Sequence, residues 1–281
     1  QAKGGVLRVV SGATGQEICT NEDVMLAYES GMAGYIDAAG VPTIIASRNQ
    51  RVKVTDAQGN PYLKLMPSKL AAFQIVPDPA SQGQHLCAVK KNADLTDWEG
   101  VKEVNSGWGS PSIADLDGDG IPDLVLANVA FNENGTLKWE GKGGTGGMGD
   151  NIMTSHTGAV SVVADVTGDG APDVVAGNTA YDGKGNILWQ RKDIVDGLVA
   201  VADLDVDGKA EVALVGYGSF FVLNGKTGET KCGPVKIPGT GPVGNRGGAP
   251  MIADFDGDGA REIGIAGAQF LVVFKGDCTE L

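Results

Sequence analysis

One stretch of the chain occurs four times, and each copy places a dense group of acidic residues between two apolar runs. The copies read ADLDGDGIPDLVLAN from residue 114, ADVTGDGAPDVVAGN from 164, ADLDVDGKAEVALVG from 202 and ADFDGDGAREIGIAG from 253. We call their acidic parts loop 1 (115–123), loop 2 (165–173), loop 3 (203–211) and loop 4 (254–262). The steps between loops are 50, 38 and 51 residues, measured between Gly120, Gly170, Gly208 and Gly259. A period of this size indicates a repeat fold with one supersecondary unit per repeat.

Each repeat has the pattern of four short strands. A short strand such as SIADL enters the loop, and an apolar strand such as PDLVLAN leaves it. Two more strands meet at a glycine turn, as in AFNENGTLKW and AYDGKGNILW. Glycine makes up 44 of the 281 residues and lies in turn-like clusters, which favours short strands joined by tight turns. The sequence therefore predicts an all-β fold, a β-propeller of six or seven four-stranded blades with acidic loops between the first two strands of several blades.

We expect a single domain over residues 1–281, and we divide it by the repeat. The predicted parts are an N-terminal hairpin that completes the last blade (1–23), a degenerate blade (24–66), a cryptic blade or insertion (67–109) and four blades with acidic loops (110–281). The degenerate blade keeps the closing glycine as Gly40, but Tyr35 and Thr43 stand where carboxylates stand in the other copies. We therefore expect it to bind no metal. Closure of the ring within one chain and closure by strand exchange between chains both stay open.

The acidic loops have the spacing of a cation-binding loop, D-x-D-x-D-G-x-x-[DE]. Carboxylates this close repel one another, and a hard divalent cation that takes 6–8 oxygen ligands relieves the repulsion. Calcium tolerates irregular geometry better than magnesium, so we predict up to four calcium ions. The predicted side-chain ligands are Asp115, Asp117, Asp119 and Asp123 in loop 1, Asp165, Thr167, Asp169 and Asp173 in loop 2, Asp203, Asp205, Asp207 and Glu211 in loop 3, and Asp254, Asp256, Asp258 and Glu262 in loop 4. The predicted backbone carbonyl ligands are Ile121, Ala171, Lys209 and Ala260.

The loops resemble the FG-GAP repeats, also called VCBS repeats, that are known from integrin α-subunit propellers and many secreted bacterial proteins. A Gly-Ala-Pro signature at 248–250 precedes loop 4, and the resemblance covers most of residues 30–281. It implies a β-propeller with calcium in the blade loops. Loops 1 and 4 keep the full pattern. Loop 3 has Val206 where glycine is usual, and loop 2 has Thr167 in place of a carboxylate, which should weaken its affinity.

The four cysteines contain no C-x-x-C pair, so we expect disulfides rather than a zinc site, with all three pairings open. Trp139 and Trp189 occupy equivalent positions, which favours packing between neighbouring blades. Trp98 and Trp108 lie outside the repeats, near glycine-rich loops, and are our candidates for stacking on a sugar ring.

Charge and composition exclude several functions. The formal net charge of −13 argues against nucleic acid as a partner, and no apolar run is long enough to span a membrane. The only two histidines, His85 and His156, are interpreted as turn or packing residues, so we expect no catalytic site and no enzyme activity.

We therefore expect a secreted or cell-surface, calcium-stabilised module for binding or adhesion. Its partner would be a protein or glycan on the cell surface or in the matrix, and self-association is possible. One alternative is a structural subunit of a surface filament or matrix that assembles through its end blades. The other is an enzyme that acts on polysaccharides.

Overall fold

The computed structural model describes residues 5–26, 32–36, 40–48, 51–55, 58–65, 69–91, 110–144, 160–240, 247–267 and 269–281. Every regular element within these ranges is a β-strand. The strands are β1 (Gly5–Val10), β2 (Glu17–Leu26), β3 (Met32–Ile36), β4 (Pro42–Arg48), β5 (Arg51–Thr55), β6 (Pro61–Leu65), β7 (Lys69–Pro77), β8 (His85–Val89), β9 (Ser112–Ala114), β10 (Asp123–Leu126), β11 (Val129–Phe131), β12 (Leu137–Glu140), β13 (Val162–Ala164), β14 (Asp173–Ala176), β15 (Thr179–Tyr181), β16 (Ile187–Gln190), β17 (Leu198–Ala202), β18 (Glu211–Gly216), β19 (Ser219–Asn224), β20 (Thr230–Lys236), β21 (Met251–Ala253), β22 (Glu262–Ala266) and β23 (Leu271–Phe274).

The strands form antiparallel sheets of the size of a propeller blade. Four sheets have four strands each, which we call sheet A (β3-β4-β7-β8), sheet B (β9 to β12), sheet C (β13 to β16) and sheet D (β17 to β20). Sheet E (β21 to β23) has three. Two hairpins, β1–β2 and β5–β6, form separate two-stranded sheets. The all-β prediction is confirmed, while the number of blades and the closure of a ring stay predictions.

The sheets lie in series, face against face, and the core is the set of layers between them. In sheet C, Val174 packs towards sheet B and Val175 towards sheet D, because successive side chains of a strand point to opposite faces. The second and third strands of sheet C are therefore buried on both sides, which explains why they read as continuous apolar runs. The first strands of sheets A to E contact one another in order, so all four acidic loops leave the sheets from the same position in the repeat.

A tryptophan on the fourth strand joins each of sheets B and C to the next sheet. The indole N–H of Trp139 donates to the carbonyl of Gly183 at 3.0 Å, and that of Trp189 donates to the carbonyl of Gly225 at 2.7 Å. The Trp189 ring also covers Gly228, where an added Cβ would lie 2.6 Å from the ring. The prediction that these tryptophans pack between neighbouring blades is confirmed.

A disulfide takes the tryptophan's place between sheets D and E. Cys232 pairs with Val222 in the same register as Trp189 pairs with Ala180, and it is bonded to Cys278. Cys278 occupies the hairpin position that Gly185 holds in sheet C, and both residues have positive φ, 69° and 83°. A covalent bond therefore replaces the contact of an indole with a glycine turn.

The N-terminal third differs from the prediction. The run AAFQIV, which we assigned to a cryptic blade over 67–109, lies in β7 and pairs with β4 from Thr43↔Gln74 to Arg48↔Lys69. Sheet A therefore crosses the predicted boundary between 24–66 and 67–109, and β5–β6 is a hairpin inserted into it. The physical reason is burial, because residues 70–73 are fully buried and so take a central place in the sheet.

The N-terminal hairpin also lies elsewhere than predicted. Within the described ranges β1 and β2 pair only with each other, not with sheet E. Leu7 and Cys19 pack against Phe73 of sheet A, and a second disulfide joins Cys19 to Cys87. The apolar face of this hairpin is thus covered by sheet A. At the edge of sheet E, the segment after Cys278 pairs with β23 instead, through Glu280 and Leu281.

Candidate metal centre

Each acidic loop connects the first and second strands of one sheet, and its first aspartate organises the turn. Asp115 Oδ1 accepts backbone hydrogen bonds from Gly118 at 2.7 Å and Asp119 at 3.1 Å, and Oδ2 accepts one from Gly120 at 2.8 Å. Asp165 accepts the same three hydrogen bonds in loop 2, and Asp203 and Asp254 each accept two of the three in loops 3 and 4. The chain folds back here because a short acidic side chain can bind several successive backbone N–H groups.

The last acid of each loop is the first residue of the second strand and is buried. Asp123 is only 3% exposed, and its carboxylate accepts the N–H of Leu116 at 3.1 Å. Burial raises the pKa of Asp123, because water no longer solvates its charge. The equivalent residues Asp173, Glu211 and Glu262 are buried too.

Three of the four loops bring three carboxylates together. In each group, oxygen atoms of the first, second and fourth acidic positions lie within 4.8 Å of one another. The groups are Asp115, Asp117 and Asp123 in loop 1, Asp203, Asp205 and Glu211 in loop 3, and Asp254, Asp256 and Glu262 in loop 4. Only oxygen donors are present, which is the donor set of a hard divalent cation such as calcium.

The third acidic position lies outside these groups. Asp119 Oδ1 accepts the N–H of Ile121 at 2.7 Å, which closes the end of the turn. Asp169, Asp207 and Asp258 make the equivalent bond to the residue two positions later. The roles of these four aspartates and of the carbonyls of Ile121, Ala171, Lys209 and Ala260 as metal ligands stay predictions.

Loop 2 satisfies its carboxylates with backbone donors. Asp173 Oδ2 accepts the N–H groups of Val166 at 3.0 Å and Thr167 at 3.1 Å, whereas Asp123 accepts only one. The pKa of Asp165 is lowered, chiefly by the hydrogen bond from Gly170. With Thr167 in place of a carboxylate, the described residues of loop 2 form no group of three acids.

Lysine side chains reach the carboxylates of loops 1 and 3. The Nζ atom of Lys138, on β12, lies 2.5 Å from Asp117 Oδ2 and 2.9 Å from Asp123 Oδ2. Burial alone would lower the pKa of Lys138, but the hydrogen bonds to both carboxylates outweigh it and raise that pKa. Lys231, on β20, bridges Asp205 and Glu211 in the same way. Loops 1 and 3 therefore each have a lysine of the same sheet as a counter-charge.

Val206 adopts a backbone conformation that its branched side chain disfavours. Its φ is 60°, while the equivalent Gly118 and Gly257 have φ of 76° and 80°. The side chain is 66% exposed and packs little. We expect Val206→Gly to stabilise the chain by about 1 kcal/mol, because only glycine enters this region without steric cost. Denaturant unfolding measures the change. Val206→Ala retains a Cβ and should give little gain, and an equal gain for both variants would contradict this explanation.

The remaining predicted positions are only partly described. Trp98, Trp108 and His156 lie outside the described residues, and His85 is exposed on β8.

In the degenerate copy, the Tyr35 hydroxyl donates to Glu133 of sheet B at 2.9 Å, and Lys90 pairs with the same carboxylate at 2.6 Å. The sequence pattern did not single out the two lysines that contact the acidic loops from β12 and β20. Each lysine directly precedes one of two residues in equivalent positions, Trp139 and Cys232, and this spacing was the signal in the sequence that could have identified them.

Comparisons with known proteins agree with this architecture. The FG-GAP-like repeat family matches residues 115–176. No curated protein sequence matches the chain. Among the described residues no helix is long and apolar enough to cross a membrane.

Solved structures share the fold at low sequence identity. The V. cholerae biofilm matrix protein Bap1 is 21% identical with a TM-score of 0.53, over 90% of this chain and 35% of that one. The exotype rhamnogalacturonan lyase YesX is 20% identical with a TM-score of 0.57, over 100% of this chain and 52% of that one. The rhamnogalacturonan lyase of Bacillus licheniformis is 17% identical with a TM-score of 0.55, over 98% and 50%.

The chain therefore spans between a third and about half of the length of these proteins, and the likeness concerns the fold alone. The repeat match lies in sheets B and C, where loops 1 and 2 connect the first two strands. Together these findings identify the chain as one that carries FG-GAP-like repeats in an all-β fold of blade-sized sheets.

Proposed function

We propose that the chain is an extracellular, calcium-stabilised β-propeller that acts as a non-catalytic binding or adhesion module. The observation that carries the proposal is the group of three carboxylates that recurs in loops 1, 3 and 4, between the first two strands of sheets B, D and E. Calcium would bind the side chains of these groups and neutralise charge that otherwise opposes folding. The rigid series of sheets would then present loops to a partner.

The location and the partner class rest on further observations. Two disulfides, Cys19–Cys87 and Cys232–Cys278, are typical of proteins in oxidising compartments. The FG-GAP-like match and the fold shared with a biofilm matrix protein support a partner on the cell surface or in the matrix, either a protein or a glycan.

Calcium should stabilise the folded chain. With dissociation constants on the order of 10⁻⁴ to 10⁻³ M, which exposed sites of this kind often have, 1 mM calcium adds about 1 kcal/mol per occupied site. A thermal melt with excess chelator and then with calcium measures the shift, which should be several degrees. Magnesium at the same concentration should restore less of it.

A matched variant separates specific binding from general screening of charge. Asp254→Asn removes one carboxylate from loop 4, and Asp193→Asn removes one that pairs with Arg191 outside the loops. Only the first should reduce the calcium shift. Equal shifts in both variants, or none in the unchanged chain, would contradict a structural role for calcium.

The absence of catalysis is part of the proposal and has its own test. Two of the proteins with a shared fold are named as rhamnogalacturonan lyases, so rhamnogalacturonan is the first substrate to try. Elimination forms unsaturated products that absorb ultraviolet light. We expect no increase in absorbance above that of the heat-denatured chain, while glycan and protein arrays should reveal a bound partner.

Assembly into a filament or matrix is the second candidate, and the edge of sheet E favours it. Phe270 and Leu271 are each 56% exposed there, beside a groove that Pro238 and Leu281 also line. Apart from the contacts of Glu280 and Leu281, the outer edge of β23 has no partner strand among the described residues. A strand edge with apolar side chains can pair with a strand of another chain. Sedimentation at increasing concentration distinguishes the two candidates, since a binding module stays monomeric and a matrix subunit forms large species.

A further inference from the structure

The fourth strands of sheets B and D place a lysine over the acidic loop of the same sheet. Lys138 Nζ lies 2.5 Å from Asp117 and 2.9 Å from Asp123. In loop 3, Lys231 Nζ contacts Asp205 and lies 2.9 Å from Glu211. Each ammonium therefore contacts two of the three carboxylates that form the candidate metal group.

The register of the sheets shows what the other two loops have at this position. Lys138 follows Leu137, which pairs with Phe131, and Lys231 follows Thr230, which pairs with Leu223. The equivalent position in sheet C is Leu188, because it follows Ile187, which pairs with Tyr181. In sheet E it is Leu281, after Glu280, which is bridged to Phe274.

The lysine and the second carboxylate occur together in loops 1 and 3 and are both absent from loop 2. Loop 2 combines Leu188 with Thr167, so it lacks the ammonium and the acid that would receive it. Loop 4 combines Leu281 with Asp256 and so keeps all three carboxylates. No described lysine or arginine forms an ion pair with Asp254, Asp256 or Glu262.

Two cations cannot share these oxygens without cost. A calcium ion binds carboxylates at ~2.3–2.6 Å, and an ammonium held on two of the same carboxylates must move away when the metal arrives. It then repels the metal at short range, or it loses its hydrogen bonds in a partly buried place. A leucine at the same position imposes neither cost.

We infer that Lys138 and Lys231 are internal counter-cations that lower the calcium affinity of loops 1 and 3. Loop 4 is then the tightest site, loops 1 and 3 bind at higher calcium concentration, and loop 2 binds most weakly. Without metal, the lysine offsets part of the negative charge in loops 1 and 3, whereas no lysine does so in loop 4. The inference rests on the proposed calcium binding and adds an order of filling to it.

Calorimetric titration of the full chain with calcium, in buffer with 0.15 M KCl, tests the order. Lys138→Met and Lys231→Met keep the aliphatic stem and remove the ammonium, and each should raise the affinity of one weak site at least tenfold. Lys226→Met is the matched control, because Lys226 is exposed in a hairpin turn and forms no ion pair with a loop. It removes the same charge and should change every affinity less than twofold. Asp254→Asn should abolish the tightest site.

The outcomes separate the inference from the proposed function. If neither the unchanged chain nor any variant binds calcium, the proposed calcium-stabilised module is wrong and the inference falls with it. If the chain binds calcium but both lysine variants bind no more tightly than Lys226→Met, the inference alone is overturned. The same holds if the tightest site survives Asp254→Asn. Because the two lysines lie in different sheets, one variant that fails to fold leaves the other as an independent test.

Discussion

Replacing Trp189 with alanine is expected to lower the free energy of unfolding by about 3–5 kcal/mol. The side chain is 6% exposed, packs in the layer between sheets C and D, and donates a hydrogen bond to Gly225 at 2.7 Å. Its removal leaves a cavity over the Gly228 turn that the two sheets cannot close, because both have rigid antiparallel pairing. Chemical denaturation, followed by circular dichroism, measures the loss.

Two further variants divide this effect into its parts. Trp189→Phe keeps a ring over Gly228 and loses the N–H donor, so it should cost about 1–2 kcal/mol. Leu188→Ala changes the neighbouring residue, which is partly exposed, and should cost less than Trp189→Ala. A loss of under 1 kcal/mol for Trp189→Ala would show that the indole does not hold the two sheets together.

Removing the Cys232–Cys278 disulfide is expected to have an effect of similar size. The bond closes a loop with a sequence separation of 46 residues, for which the loss of chain entropy in the unfolded state corresponds to about 4 kcal/mol. The bond also fixes sheet E to sheet D, where the earlier junctions have a tryptophan. We therefore expect sheet E to unfold first in the variant, so that the unfolding transition becomes broader or splits in two.

The design of the variant follows from the backbone. Cys278 has φ of 69°, so Cys232→Ala with Cys278→Gly removes the bond and leaves a residue suited to that conformation. Cys232→Ala with Cys278→Ala adds the steric cost of a Cβ and should be less stable still. An unchanged melting temperature in the Cys278→Gly pair would mean that sheet E is held by its apolar layer alone.

The acidic loops and the strands around them could be predicted because their signals are local. The first aspartate, the glycines and the buried last acid all act within nine residues, so four copies of one pattern were enough. The short apolar strands of sheets B to E follow from the same repeats. Calcium itself stays a proposal, supported by the converging carboxylates of loops 1, 3 and 4.

The features that the sequence did not reveal depend on contacts between distant segments. The hairpins β5–β6 and β7–β8 both follow β4 in the chain, but only β7 pairs with β4, and residues 70–73 of β7 are fully buried. The disulfide pairing, left open among three possibilities, was set by the stacking of sheets. Lys138 reaches Asp117 across the width of sheet B, and only the strand register shows that Leu281 holds the same position.

The disulfide of the last junction also determines how the chain would respond to mechanical tension. A pulling force applied at the residues after Cys278 passes through the sulfur–sulfur bond to Cys232 and does not stretch the segment between them. Loop 4 and all of sheet E lie inside this protected segment. The carboxylate group of loop 4 would therefore keep its shape under a load that extends other parts of the chain.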